Sequence, residues 1–171
     1  MEDEGRGSIY VGAGANLSHP IYGSPREILE AAFDRLVQRG VRVTRISPWY
    51  RTAPVPISDQ PWYRNVVIEV ETDLAPDRLL EVLHEVEEVF GRVRSVPNAP
   101  RTIDLDLLDY RGKVVPEGQG RAVLPHPRMA TRAFVLRPLA DLAPLWRHPV
   151  TAAPIQALLA MLPADQATAP D

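Results

Sequence analysis

Residues 102–110 have the sequence TIDLDLLDY, in which the pair Asp104 and Asp106 interrupts an apolar segment. The segment follows a polar, basic loop at 92–101 and precedes a glycine-containing turn, so its length and composition predict a β-strand. Side chains two residues apart in a strand point to the same side. We therefore expect the two carboxylates to lie together on one face of a sheet, with the intervening leucine on the other.

The segments before this strand alternate between strand and helix patterns. Apolar residues at helical spacing predict one helix that begins at Pro25 and ends before Gly40, and a second that begins at Pro76 and ends before Gly91. Three prolines assign residues 53–61 to a loop. Strands are predicted at 8–14, 41–50, 63–72 and 102–110.

The order strand, helix, strand, strand, helix, strand is that of a ferredoxin-like βαββαβ sandwich, an α+β fold. We expect a mainly antiparallel sheet with helices on one face, which leaves the other face for loops and ligands. Additional C-terminal elements are predicted, a short helix at 131–143 and an apolar segment at 155–162. Residues 8–162 are predicted to form a single domain between a flexible lead (1–7) and a flexible tail (163–171).

The composition excludes several classes of protein. The chain of 171 residues has no cysteine, which excludes a disulfide scaffold, a thiolate metal site and a cysteine nucleophile. No run approaches the ~18 consecutive apolar residues of a membrane helix, and the acidic start lacks the pattern of a secretory signal. We therefore expect a soluble cytoplasmic protein with no membrane partner. The net charge of -3 argues against a nucleic-acid partner.

The basic residues are 18 arginines and one lysine, Lys113. A Walker A phosphate loop needs a lysine followed by serine or threonine, and Lys113 is followed by valine, so that loop is excluded. Any phosphate that this chain binds must be bound by arginines. The alternative explanation for the arginines is codon bias in a GC-rich genome, which the abundant alanine and proline also indicate.

The two carboxylates of the strand at 102–110 point to metal chemistry. Like charges this close in an apolar strand are unfavourable unless a cation or an arginine neutralises them. Oxygen ligands of this kind suit Mg²⁺, which takes one or two carboxylates and completes its shell with water and phosphates. The loop before the strand carries three arginines whose guanidinium groups could bind phosphate, Arg92, Arg94 and Arg101. A solvated sheet face on which these arginines simply neutralise the carboxylates is the structural alternative.

Weaker signals lie on irregular segments. His126 stands between two prolines, and Tyr63 and Asn65 follow the proline-rich loop. Each of the three could bind a ligand or only satisfy backbone groups beside a loop. The glycines at the end of the first strand are interpreted as positions of close backbone packing, with Asn16 holding a turn. The other three histidines have no metal-ligand spacing, so no zinc site is predicted.

Taken in order, these segments resemble the 6-hydroxymethyl-7,8-dihydropterin pyrophosphokinase family of folate biosynthesis, from about Tyr10 to Pro144. Each motif is weak alone, but the ordered set is highly specific. The matching stretches are Gly14–Leu17, Ser47–Pro54, Asp59–Asn65, Gly91–Arg94, Pro100–Leu107 and Leu124–Leu139.

The resemblance implies a transferase that moves a pyrophosphoryl group from ATP to the pterin hydroxyl in a Mg²⁺-dependent reaction that releases AMP. It assigns two Mg²⁺ ions to Asp104 and Asp106, and charge stabilisation on the transferred phosphates to Arg92 and Arg101. The residues implied to contact ATP are Glu87, Arg94, Leu107, Arg121, His126 and Arg132. The residues implied to form the pterin site are Thr52, Pro54, Val55, Tyr63, Asn65 and Phe134.

The sequence departs from the family pattern at Asn98 and Ala99, which stand where Trp-Gly is common. The departure removes a stacking contribution from that loop and leaves the metal and arginine residues in place, so we expect an active enzyme. The resemblance further implies a monomer, with other folate-pathway enzymes as candidate partners.

Two other functions remain open. Nucleotidyl transfer of the polymerase-palm type also uses an Asp-x-Asp strand on such a sheet, and it predicts a basic template surface that the net charge does not favour. A non-catalytic nucleotide- or pterin-binding module would have lost at least one of the four catalytic residues, Arg92, Arg101, Asp104 and Asp106, and all four are present.

Overall fold

The computed structural model describes residues 7–54, 58–91 and 103–171. The strands in these ranges are β1 (Ile9–Ala15), β2 (Arg42–Ile46), β3 (Tyr50–Thr52), β4 (Tyr63–Glu71), β5 (Asp104–Tyr110) and β6 (Thr168–Pro170). The helices are α1 (Pro25–Gln38), α2 (Pro76–Val89), α3 (Ala133–Leu142) and α4 (Ile155–Ala160), with a short 3-10 turn at Met129–Thr131. None of the described helices is long and apolar enough to cross a membrane.

The strands form one sheet in the order β5-β1-β4-β3-β6, and β2 also pairs with β4. Every strand pair is antiparallel, which confirms the predicted mainly antiparallel sheet. Among the described strands, β5 lies at an outer edge of the sheet.

The predicted strand at 41–50 is two strands, because Pro48 interrupts the ladder. Proline has no N–H to donate, and the chain pairs with β4 again from Tyr50. Ser47 holds the break in place. Its N–H donates to the carbonyl of Val67 at 2.9 Å, and its hydroxyl oxygen accepts the N–H of Val67, also at 2.9 Å.

The N-terminus of α1 is capped as its sequence predicts. The hydroxyl oxygen of Ser24 accepts the N–H of Glu27 at 3.3 Å, and the Glu27 carboxylate accepts the N–H of Ser24 at 3.3 Å. Pro25 occupies the first turn, and after the helix Gly40 adopts a φ of 81°, which glycine accepts without strain. Both long helices are confirmed to within a few residues of their predicted ends.

The face of the sheet toward α1 and α2 is a continuous apolar core. Alternate residues of three adjacent strands are buried there against apolar side chains of the two helices. The sheet residues are Val11, Ala13 and Ala15 of β1, Val66, Ile68 and Val70 of β4, and Leu105 and Leu107 of β5.

The opposite face carries a second, smaller core, so the prediction that the helices lie on one face is wrong for α3 and α4. Leu136 and Leu139 of α3 are buried in a cluster with Tyr10, Val67 and Leu108 of the sheet. The strands carry apolar side chains on both sides, and those on the second side need a covering layer as well. The C-terminal helices supply that layer over part of the face.

Residues 163–171, for which the sequence predicts a flexible tail, contain a short strand in the structure. Thr168–Pro170 forms β6 antiparallel to β3, with its first residue opposite Thr52. The carboxylate of Asp171 then lies 2.9 Å from Nε of Arg64 on β4. Three residues paired to a sheet edge are too few for an alternating pattern to show in the sequence, so the pairing was not predictable from it.

Candidate active site

The strand register places polar side chains in one row on the face opposite α1 and α2. Residues directly opposite each other in an antiparallel ladder share a face. Gly14 of β1 lies opposite Asp104 of β5 on one side and opposite Asn65 of β4 on the other. Gly12 lies opposite Asp106 in the next row. Both carboxylates therefore lie on one face, as predicted, and the buried amide lies on that face with them.

Gly14 leaves room for the side chain of Asn65. A Cβ built at position 14 would lie 2.6 Å from Nδ2 of Asn65, which is closer than real Cβ atoms approach other groups. Asn65 is only 6 % exposed, and the hydroxyl of Thr52 donates to its Oδ1 at 2.5 Å. The glycine is therefore required for close packing, and the carboxamide is held in one orientation with Nδ2 toward β1.

Asp104 and Asp106 supply the oxygen donors that a magnesium ion uses. Both are half-buried on β5. Among the residues that the structure describes, no group of three or more His, Asp or Glu side chains could hold a metal ion. Mg²⁺ needs fewer, because it takes one or two protein carboxylates and completes its octahedron with water and substrate phosphates. The carboxylate pair fits this mode of binding.

A pocket of about 250 Å³ lies beside β5, between α2 and the loop at 121–127. Four predicted site residues line it, Asp106, Leu107, Arg121 and His126. Leu80 and His84 of α2 also line the pocket, and neither is among the residues predicted to contact ATP. Their spacing of one helical turn is the signal that could have placed both on the same side of α2.

Two contacts anchor the loop that forms the outer wall of this pocket. The carboxylate of Asp77, in the first turn of α2, accepts the N–H of Ala122 at 2.9 Å. The N–H of His126 donates to the carbonyl of Leu108 on β5 at 2.8 Å. The wall is thus fixed to α2 at one end and to the sheet at the other. Sequence reasoning assigned Asp77 only to the start of a helix.

His126 is held as a neutral imidazole. Burial lowers the pKa of His126 below its ordinary value; Asp106 opposes this shift, and the nearby cations Arg132 and Arg128 add to it. Nδ1 accepts the N–H of Arg128 at 3.2 Å, so Nε2 carries the proton and can donate. A neutral donor on the pocket wall suits a ligand with nitrogen or oxygen acceptors.

Arg121 lines the same pocket, and its side chain is 67 % exposed. Its Nη1 lies 2.5 Å from Oε1 of Glu81 on α2. Glu81 also pairs with Arg78, whose guanidinium contacts Glu85 as well, each at 3.0 Å. Exposed ion pairs contribute little stability, so Arg121 can exchange Glu81 for a phosphate group at small cost.

The start of α3 presents Arg132 and Phe134 together. Arg132 is the N-cap residue of α3, and its guanidinium carbon lies 5.4 Å from the centroid of the Phe134 ring. Near the other end of α3, the hydroxyl of Tyr50 on β3 donates to the carboxylate of Asp141. Burial and this carboxylate raise the pKa of Tyr50 to about 12, so the hydroxyl keeps its proton. α3 is thereby tied to the strand beside the buried amide.

Asn16 holds the proline-rich loop, whereas the sequence predicts a role in a local turn. Nδ2 of Asn16 donates to Oε1 of Gln60 at 3.1 Å and to the carbonyl of Pro61 at 3.2 Å. The side chain is buried, so the loop is fixed where it leads into β4. These contacts cross more than forty residues of chain, and the local sequence carries no sign of them.

Glu87 is not among the residues that line the pocket. It is fully buried on α2, and its Oε2 accepts the N–H of Leu105 at 3.1 Å. This bond satisfies a backbone group of the edge strand β5 and fixes α2 against it. The position gives Glu87 a supporting contact with the strand that carries the carboxylates.

The remaining predicted site residues divide into two groups. Tyr63 is half-buried opposite Thr52, and Pro54 is buried where β3 leads into the proline-rich loop. Four predicted residues lie outside the described part of the chain, Val55, Arg92, Arg94 and Arg101.

The family model for 7,8-dihydro-6-hydroxymethylpterin-pyrophosphokinase (HPPK) matches residues 10–144. The chain belongs to this family. The matched range contains the row of Asp104, Gly14 and Asn65, the pocket beside β5 and the start of α3. The geometry described above therefore lies within the part that the HPPK family shares.

Named relatives of the HPPK family align with most of the chain. A 2-amino-4-hydroxy-6-hydroxymethyldihydropteridine pyrophosphokinase of Pseudomonas aeruginosa is 42% identical over 144 residues, which cover 82% of this chain and 83% of that protein. The enzyme of the same name from Methylorubrum extorquens is 41% identical over 136 residues, 79% of this chain and 82% of that protein. A folic acid synthesis protein of Pneumocystis carinii is 36% identical over 84% of this chain, but the chain spans only 18% of that longer protein.

Solved structures support the fold. The crystal structure of Plasmodium falciparum HPPK-DHPS with pteroate matches with a TM-score of 0.66 at 14% identity, covering 92% of this chain and 43% of that chain. The likeness therefore concerns the mixed α/β architecture with its mostly antiparallel sheet.

Proposed function

We propose that this chain transfers the pyrophosphoryl group of ATP to 6-hydroxymethyl-7,8-dihydropterin, forming AMP and the pterin diphosphate in the synthesis of tetrahydrofolate. Membership of the HPPK family and the names of the two bacterial relatives support the reaction class. The observation that carries the proposal is the register that sets Asp104 and Asn65 on either side of Gly14.

The surroundings of this row suit two different substrates. On the β5 side, the pocket offers the neutral donor His126 and the exposed cation Arg121 to a nucleotide and its phosphates. On the β4 side, Asn65 offers an amide for hydrogen bonds, and Phe134 offers an aromatic ring for contact with a flat heterocycle. The carboxylates of β5 lie between the two, where the phosphates and the hydroxymethyl group would meet.

The transfer forms a bond between the hydroxymethyl oxygen and the β-phosphorus of ATP. It breaks the bond from that phosphorus to the oxygen shared with the α-phosphate, so AMP leaves and the hydroxyl proton passes to solvent. The residues of this chain orient the two reactants in line, which removes much of the entropic barrier. Arg92 and Arg101 are proposed to neutralise the charge on the transferred phosphates.

Asp104 and Asp106 are proposed to hold two Mg²⁺ ions, which when bound neutralise phosphate charge and make an alcohol easier to deprotonate. The oxygens of both side chains lie on the same face as Asn65, so a metal site there adjoins the proposed pterin site. We expect removal of divalent ions with a chelator to stop the reaction without unfolding the protein.

The deciding experiment incubates the protein with ATP, Mg²⁺ and 6-hydroxymethyl-7,8-dihydropterin and identifies the nucleotide product. We expect AMP and the pterin diphosphate in equal amounts, and no AMP when the pterin is omitted. Formation of ADP or inorganic pyrophosphate, or the absence of any product, would reject the proposal. Release of pyrophosphate would instead indicate nucleotidyl transfer.

A further inference from the structure

Residues 163–171, here called the C-terminal segment, join two parts of the proposed pterin site. At one end, the side chain of Gln166 reaches the start of α3. Its Oε1 accepts the N–H of Ala133 at 2.7 Å, and its Nε2 donates to the carbonyl of Thr131 at 2.8 Å. Both polar atoms of one side chain are therefore used at one helix end.

Gln166 caps the start of α3 from a distant part of the chain. The N-cap residue Arg132 makes no side-chain capping bond. The first N–H groups of a helix have no partner inside the helix, so a capping oxygen or water must satisfy them. Gln166 bonds the residues immediately before and after Arg132, and it thereby fixes the backbone from which Arg132 and Phe134 project.

The other end of the C-terminal segment lies against β3 and β4. The carbonyl of Ala167 accepts the N–H of Ala53 at 3.2 Å, and the strand β6 then pairs with β3. The carboxylate of Asp171 pairs with Arg64, the neighbour of Asn65 on β4. The same short segment therefore contacts both the helix that carries Phe134 and the strands that carry the buried amide.

We propose that Gln166 is a positioning residue for pterin binding, which sets the first turn of α3, and with it Phe134, relative to Asn65. The inference rests on the proposed function. An aromatic contact depends on the placement of the ring. Gln166 bonds Ala133, the residue immediately before Phe134, so it controls that placement more directly than the distant bond between Tyr50 and Asp141 does.

The test measures the KM for the pterin, the KM for ATP and the kcat of AMP formation in wild type and variants. For Gln166→Ala we expect the pterin KM to rise about fivefold, because two neutral hydrogen bonds are lost, with a smaller change in kcat. Gln166→Glu keeps an acceptor for Ala133 and loses the donor to Thr131, so its pterin KM should lie between the values for wild type and Gln166→Ala. Gln156→Ala, at an exposed glutamine on α4, is the matched control and should match wild type.

The split between KM and kcat separates positioning from general destabilisation. Partial unfolding lowers the active fraction, and therefore kcat, but leaves the pterin KM of the folded molecules unchanged. If wild type forms AMP and the pterin KM of Gln166→Ala stays within about twofold of wild type, the inference is wrong. If wild type forms no AMP, the proposed function fails and the inference falls with it. If Gln166→Ala does not fold, the comparison of Gln166→Glu with wild type decides by the same KM criterion.

Discussion

The two faces of the sheet differ in what covers them. The face toward α1 and α2 is apolar along β1, β4 and β5 and is buried beneath both helices. On the opposite face, α3 and α4 bury one cluster, and the polar row of Asp104, Gly14 and Asn65 lies on the same face. The fold thus places most of its stabilising contacts on one side, and the proposed metal and pterin contacts lie on the other. Substitutions on the two faces should therefore have separable effects.

The largest expected effect is on the polar face. Asp106→Asn keeps the size of the side chain and removes its charge, so it should weaken the metal site and reduce kcat/KM for AMP formation by about 10³-fold. The midpoint of thermal unfolding should change little, because the side chain is half-buried and outside both apolar cores. Activity within about tenfold of wild type would contradict the proposed role.

A substitution on the helix-covered face should instead lower stability and leave the kinetic constants unchanged. Leu83 of α2 is fully buried in the larger core, so Leu83→Ala should lower the free energy of unfolding by about 2–5 kcal/mol. Urea unfolding measures this loss. Both KM values should stay at the wild-type level for the protein that remains folded, and a change in either would show that the two faces are coupled.

Gly14→Ala should weaken pterin binding with little effect on ATP. The added Cβ would collide with Nδ2 of Asn65 and displace the amide from its place beside β1. We expect the pterin KM to rise about tenfold, which is a loss of about 1.4 kcal/mol of binding free energy. Gly7→Ala is the control, since an added Cβ there meets nothing within 4 Å. An unchanged pterin KM would show that the amide does not contact the substrate.

A smaller, pH-dependent effect is expected in the second core. Asp109 accepts bonds from Trp146 at 2.8 Å and from the N–H of Gly112 at 3.0 Å. Burial nevertheless raises the pKa of Asp109, against the influence of these bonds and of His148. A raised pKa in the folded state contributes stability that is complete below the unfolded value of about 3.9 and is lost as pH rises through the folded pKa.

The wild-type free energy of unfolding should therefore fall relative to that of Asp109→Asn as the pH rises above about 4. Urea unfolding of both proteins over a pH series measures the difference. A difference that stays constant with pH would show that Asp109 titrates normally.

The smallest expected effect is at the rim of the pocket beside β5. Glu81 competes with phosphate for Arg121, so Glu81→Gln should lower the KM for ATP about twofold at low salt, and the gain should shrink as salt is added. Glu30→Gln removes a comparable exposed pair on α1 and should leave the KM for ATP unchanged. A raised KM would mean that Glu81 orients Arg121 for binding.

Sequence patterns predicted those helices and strands that are determined by residues close together in the chain. Helical spacing with prolines and glycines at the ends predicted α1 and α2, and the period of two predicted the shared face of Asp104 and Asp106. The break at Pro48 was missed, although a proline inside a predicted strand is itself a local signal of an interrupted ladder.

The contacts that complete the candidate site come from distant parts of the chain. Gln166 reaches α3, Asn16 reaches the proline-rich loop, and Asp77 reaches the loop at 121–127. From the local sequence, these three polar residues were interpreted as part of a tail, a turn and the start of a helix, and nothing nearby indicated a distant contact. The resemblance named Asn65 as a pterin contact, but the reason that Asn65 fits, the missing side chain at Gly14, is visible only once the strands are paired.

The pairing of Asp104, Gly14 and Asn65 also sets a length. Neighbouring strands lie about 4.8 Å apart, so two strand spacings put the acidic and amide side chains about 10 Å from each other at the backbone. Nδ2 of Asn65 extends over Gly14 and covers part of this distance, so a molecule that contacts both side chains needs to span only the rest. The hydrogen-bonded strands fix the spacing of the two backbone positions, and substitutions in the surrounding loops would leave this spacing unaltered.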